Sequence, residues 1–137
     1  MFYGNVILRD RLKTLDREKF EELVEKAYEK IPERFKQKME NIEIVVEDFP
    51  TLEDLEQLRI RSGKLLLGFY RGTPLPKRSI WQGARLPDKI VLFQRNIERM
   101  CRTEKEVEDR VYEVLLHEVG HYFGLSDKEI YELMGSD

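Results

Sequence analysis

His117-Glu118-Val119-Gly120-His121-Tyr122-Phe123-Gly124-Leu125-Ser126-Asp127 is the stretch on which the reading of this chain turns. It has the form H-E-x-x-H-x-x-G-x-x-D, and it uses both histidines of the protein. A helix turns about 100° per residue, so residues four apart share a face one turn apart. Both imidazoles can then reach one zinc ion, whose distance to a histidine nitrogen is about 2.0–2.1 Å. Glu118 lies beside that face, where it would touch a metal-bound water rather than the metal itself. Gly124 can take the left-handed conformation that ends a helix, letting the chain swing Asp127 back toward the histidines. Three protein ligands leave a fourth position for water, the pattern of a catalytic zinc site. The expectation is one zinc per chain, held by His117, His121 and Asp127.

The motif closes a long helical pattern that starts at Glu104 and carries Val107, Val111, Val114 and Leu115 on its apolar face. Ser126 and Glu129 then form an N-cap pair three residues apart, which predicts a short last helix holding Ile130, Leu133 and Met134. The competing reading is two surface histidines on an amphipathic helix, with Asp127 merely starting the next one. The helix-ending glycine and the ligand-type residue at the right distance weigh against it.

Upstream, residues 16–31 repeat Phe20, Leu23, Val24, Ala27, Tyr28 and Ile31 at helical spacing, with Glu and Lys on the other face. Pro32 disfavours helix just before it, so residues 33–39 read as a separate short helix or a kinked continuation. Residues 42–47 are β-branched and brief, a strand. Thr51 to Asp54 can cap a short helix with Leu55 and Leu58 facing inward. Residues 65–70 and 89–94 read as two further strands. Between them, residues 71–87 hold three prolines and two glycines, which argue against regular structure and read as a long loop of the functional or disordered kind. Trp81 in its middle either covers the site or pins the loop to the surface.

At 137 residues the chain is expected to form one domain, residues 1–137. A net charge of -3 provides no broad basic field, so nucleic acid is not an expected partner. No apolar run approaches the ~20 residues of a membrane span, and the first residues are too short in their apolar run for a signal peptide. Cys101 stands alone, so no internal disulfide can form and a reducing cytoplasm is the expected home. It reads as a packed thiol rather than a nucleophile or ligand.

The residues 66–75, 86–93 and 114–127, reading LLGFYRGTPL, LPDKIVLF and VLLHEVGHYFGLSD, resemble the small bacterial proteins called minimal zincins, a zincin-like metallopeptidase group. The resemblance covers about half of the chain closely. It implies an α+β fold, with a small mixed β-sheet packed on the zinc helix and the amphipathic helices N-terminal to it. It also implies His117, His121 and Asp127 as metal ligands and Glu118 as the catalytic glutamate. Gly120 matches a position that is small in the family.

The expected function is zinc-dependent hydrolysis of a peptide or protein substrate, with Glu118 as general base and then acid. Tyr122, Tyr131 and Arg85 are the candidates for stabilising the oxyanion. An extended substrate is expected to add to an exposed sheet edge, for which the strand at residues 90–93 is the first choice. Two alternatives belong to other classes. One is a zinc-containing regulatory module that binds a specific protein partner. The other is a metal-dependent nuclease, which Glu118 and the acidic balance oppose. Only the short stretch 128–137 follows Asp127, so a shallow, open site is expected, with the loop as its one cover.

Overall fold

The apolar run Ile90-Val91-Leu92-Phe93 is fully buried along its length, and it forms the middle of the structure. The computed structural model describes residues 2–5, 14–58, 64–72 and 88–135. In chain order its elements are β1 (Phe2–Asn5), α1 (Arg17–Glu29), α2 (Glu33–Lys36), a 3-10 turn (Gln37–Met39), β2 (Ile42–Glu47) and α3 (Leu52–Gln57). They continue as β3 (Lys64–Arg71), β4 (Asp88–Phe93), α4 (Gln94–Arg99), α5 (Glu104–Tyr122) and α6 (Asp127–Gly135). This is the expected α+β class with a small mixed sheet. The expected lid at 73–87, with Trp81 and Arg85, lies outside the described residues, as do the side chains of Leu133 and Met134.

The sheet order is β1-β3-β4-β2. β2 runs parallel to β4, with Ile44 opposite Ile90 and Val46 opposite Leu92. β3 is antiparallel to β4, and β1 antiparallel to β3. β4 is therefore an interior strand, which corrects the expectation that residues 90–93 form the exposed edge. A continuous apolar run is what a strand covered on both faces requires, whereas an edge strand has reason to carry charge. Among the described residues the outer positions belong to β1 and β2. β1 was not expected: its four residues include a glycine and an asparagine, and only the pairing with β3 makes them a strand.

One face of the sheet packs under α1 and α5. The main core joins Phe20, Leu23 and Ala27 of α1 to Val111, Val114 and Leu115 of α5 and to Ile90 and Leu92 of β4. The opposite face buries a smaller cluster of Leu66, Phe69, Val91 and Phe93, with Phe69 stacked on Phe93 at 5.8 Å. The pairing of β1 with β3 skips a register step where Phe2 faces Gly68 and Tyr3 faces Leu66. That bulge lets Leu67 and Gly68 both turn toward the helices. A Cβ at Gly68 would lie 2.7 Å from Val114 Cγ1 and 2.7 Å from the Val91 carbonyl oxygen. The missing side chain is what lets α5 sit down on the sheet at the turn before His117.

A buried polar clamp ties the entry of α1 to α4. Gln94 Nε2 donates to the Leu15 carbonyl at 2.9 Å, and the Leu15 N–H donates to Glu98 at 2.8 Å. Arg17 donates to Gln94 Oε1 at 2.7 Å and to the Val46 carbonyl at 2.9 Å. Every group in the clamp finds a partner, as burial demands.

Candidate metal centre

α5 brings the two histidines together by helical repeat alone. Thr103 caps its start by accepting from the Glu106 N–H at 3.1 Å. The ring centroids of His117 and His121 lie 4.7 Å apart at 61°. His117 and Glu118 are buried, Glu118 completely, while His121 is half-buried and Asp127 is exposed.

The return of Asp127 depends on how α5 stops. Gly124 has φ +78°, the left-handed region open to glycine. The Leu125 N–H donates to the Gly120 carbonyl and the Gly124 N–H to the His121 carbonyl, each at 2.9 Å, a Schellman closure. Ser126 then caps α6: its Oγ accepts from the Glu129 N–H at 3.2 Å, and the Ser126 N–H donates to Glu129 Oε1 at 3.2 Å. Ile130, buried on α6, seats this short helix against α5 at Gly120. A Cβ there would meet Ile130 Cγ1 at 2.4 Å, so the smallness of residue 120 has a steric cause.

The outcome is convergence on one carboxylate oxygen. Asp127 Oδ1 lies 3.2 Å from His117 Nε2 and 3.1 Å from His121 Nε2. Ligands at about 2.0–2.1 Å from a tetrahedral zinc stand about 3.3–3.4 Å from one another. The two measured separations are close to that edge length, and the ligand atoms of all three residues lie within 4.8 Å of one another. Two imidazoles and a carboxylate are also a donor set that suits zinc. The residues fit the ion that the motif implies.

Glu118 stands where a sequence pattern could only point. Its Oε2 lies 3.3 Å from His121 Nδ1, three residues along the same helix. That contact favours a proton on Nδ1 and leaves the Nε2 lone pair facing Asp127 and the metal position. The same contact raises the pKa of His121 above its ordinary value. Burial lowers that of His117, favouring the neutral imidazole that can bind metal. The hydrogen bond to His121 holds Asp127 below the usual carboxylate range.

Of the oxyanion candidates, Tyr122 is buried, its ring 5.5 Å from Tyr70 and 5.1 Å from Phe123, in a packing position. Tyr131 is 70% exposed on α6, one turn beyond Asp127. Arg85 lies outside the described residues. The positioning residues Gly68 and Ile130 were not picked out as such from the sequence. Their roles arise from contacts between elements, which no local pattern encodes.

A family profile described as zincin-like metallopeptidase matches residues 39–136. A solved structure of a conserved hypothetical protein from Thermo thermophilus is similar to this chain, with 27% identity and a TM-score of 0.53. The similarity covers 89% of this chain and 100% of that one. No curated protein matches significantly. No helix among the described residues is long and apolar enough to cross a membrane.

Proposed function

Because the chain belongs to the zincin-like metallopeptidase family, we propose that it hydrolyses peptide bonds, with zinc held by His117, His121 and Asp127 and protons carried by Glu118. The observation that carries this reading is the convergence of both Nε2 atoms on Asp127 Oδ1, with the Glu118 carboxylate alongside. A zinc ion bound there supplies a Lewis acid that polarises the scissile carbonyl and lowers the pKa of water toward ~7.

The protein's own groups do the rest. Glu118 takes a proton from the attacking water as its oxygen bonds to the carbonyl carbon. It then delivers that proton to the amine nitrogen as the carbon–nitrogen bond breaks. His121 Nδ1 holds the Glu118 carboxylate in place for both transfers. His117 and Glu118 form the dry wall of the site, and exposed Asp127 marks the side on which substrate enters.

The site's surroundings suit an extended substrate. The described pairing of β1 with β3 runs from Asn5 opposite Lys64 to Phe2 opposite Gly68, and β3 continues past it through residues 69–71. Tyr70 in this stretch packs on Tyr122, next to His121. A short segment adding along that stretch would place its backbone beside the metal centre.

The test is Glu118→Gln. The amide keeps the shape but cannot shuttle protons, so zinc content and melting temperature should stay near those of the unchanged protein. Cleavage of a peptide library should fall by about 10²–10⁴-fold. A fully active Glu118→Gln protein would refute the role of Glu118. Zinc-loaded protein that cleaves nothing in the library would refute the peptidase reading and leave a zinc-bound binding module.

A further inference from the structure

We propose that the groove between α1 and the outer edge of β2 is a docking site for an extended segment of a partner protein that carries Lys or Arg at every second residue. The groove is separate from the metal centre. Its floor is apolar: Val24 of α1, Met39, and the alternate residues Ile42, Ile44 and Val46 of β2. Its rim is acidic, with Glu21, Glu25 and Glu29 along one face of α1 and Glu40 across from them, all four exposed. No ion pair joins any of these four to a described residue.

The chain already places a cation of its own at each end of this groove. Lys36 sets its ammonium 5.3 Å from the centre of the Tyr28 ring and donates to the Glu29 carbonyl at 2.8 Å. Arg17 donates to the Val46 carbonyl at the other end.

β2 is last in the strand order, and no described strand pairs with its outer edge. A strand added there turns every second side chain to the face of Ile42, Ile44 and Val46. Lys and Arg suit that face because their stems cover apolar surface while their heads reach outward. Here the stems would lie over Val24, Met39 and Ile44 and the heads would meet the glutamates. A segment with acidic groove-facing residues would meet like charge along the whole rim.

The experiment measures fluorescence anisotropy of a labelled ten-residue peptide alternating arginine and threonine, added to the full chain. Saturable binding that weakens with added salt is expected. The Glu25→Lys/Glu40→Lys variant should bind about tenfold more weakly, the effect of two reversed surface charges. Glu53→Lys, on α3 outside the groove, should bind as the unchanged protein does. A backbone N-methylated version of the peptide should bind more weakly, because it cannot complete the ladder. If the double variant melts early, Glu25→Gln/Glu40→Gln replaces it, with a smaller loss in the same direction.

No saturable binding overturns the proposal, as does equal binding by the groove variants. An equal loss in Glu53→Lys overturns it too, since attraction would then be diffuse. Unchanged affinity of the N-methylated peptide overturns the strand addition. Self-association in sedimentation that Ile44→Lys abolishes would give the groove to a second copy of the chain and overturn the basic-partner reading.

Discussion

Gly120 offers no side-chain ligand atom, yet its missing side chain decides where Asp127 stands. Ile130 fills the space that a Cβ would take, and Ile130 sits three residues beyond Asp127 on the same short helix. Gly120→Val should push α6 off α5 and weaken zinc binding by about tenfold or more, because a misplaced ligand is a lost ligand. Competition with a chromophoric chelator measures it, and unchanged affinity would show that α6 adapts without moving Asp127. His117→Ala should remove most of the zinc, and Asp127→Ala less, since water can partly replace a carboxylate. Elemental analysis after dialysis reads both. Cys101 is a different case. Burial pushes its thiol up to about 11, so at neutral pH it is protonated and shielded. It should react slowly with a thiol reagent in the native protein and rapidly in denaturant. Rapid native reaction would contradict the packed-thiol reading that the lone cysteine suggested.

Among the elements, α5 and its stop were legible in advance because every contact that defines them is local. The apolar repeat, the histidine spacing, the Gly124 turn and the Ser126–Glu129 cap lie within a few residues of their partners. Gly124→Ala should cost about 1–2 kcal/mol, the strain of a left-handed alanine, read as a lower urea midpoint. α4 was not legible: its buried Gln94 and Glu98 make sense only against Leu15 and Arg17, far away in sequence. The docking of α1 on α5 also carries a pH signature. Lys30 and Glu108 form a close ion pair across the two helices, and Lys30 holds the Glu108 carboxyl below its ordinary value. A depressed carboxyl stabilises the fold above its unfolded pKa of about 4.3, and that contribution is lost as pH falls through the folded value. Glu108→Gln should therefore lower the urea midpoint near pH 7 and leave it unchanged near pH 2. An equal deficit at both would mean that packing, not charge, is what the substitution removes.

For the molecule as a whole, the proposed zinc site would couple metal binding to folding, because its three candidate ligands sit on two helices that must pack to meet. Zinc at a hundred times its dissociation constant should stabilise the fold by about 2.7 kcal/mol, seen as a higher melting temperature. His117→Ala should show no such rise, and a rise of equal size there would move the zinc to another site. The sequence alone carried the metal-ligand set as an expectation, the helix that bears the histidines and three of the four strands found among the described residues, while its resemblance to minimal zincins implied the α+β class. It could do so because periodicity, caps and ligand spacing are properties of neighbouring residues. The assembled fold was needed to show that β4 lies inside the described sheet, that residues 2–5 pair with β3, and that Gly68 and Gly120 are where helices close in. Only there, too, did Glu118 meet His121 Nδ1 and the acidic groove form beside β2. Strand order and helix contact join residues far apart along the chain, and they are selected by the shape and burial of the assembled core, which no single stretch of sequence contains.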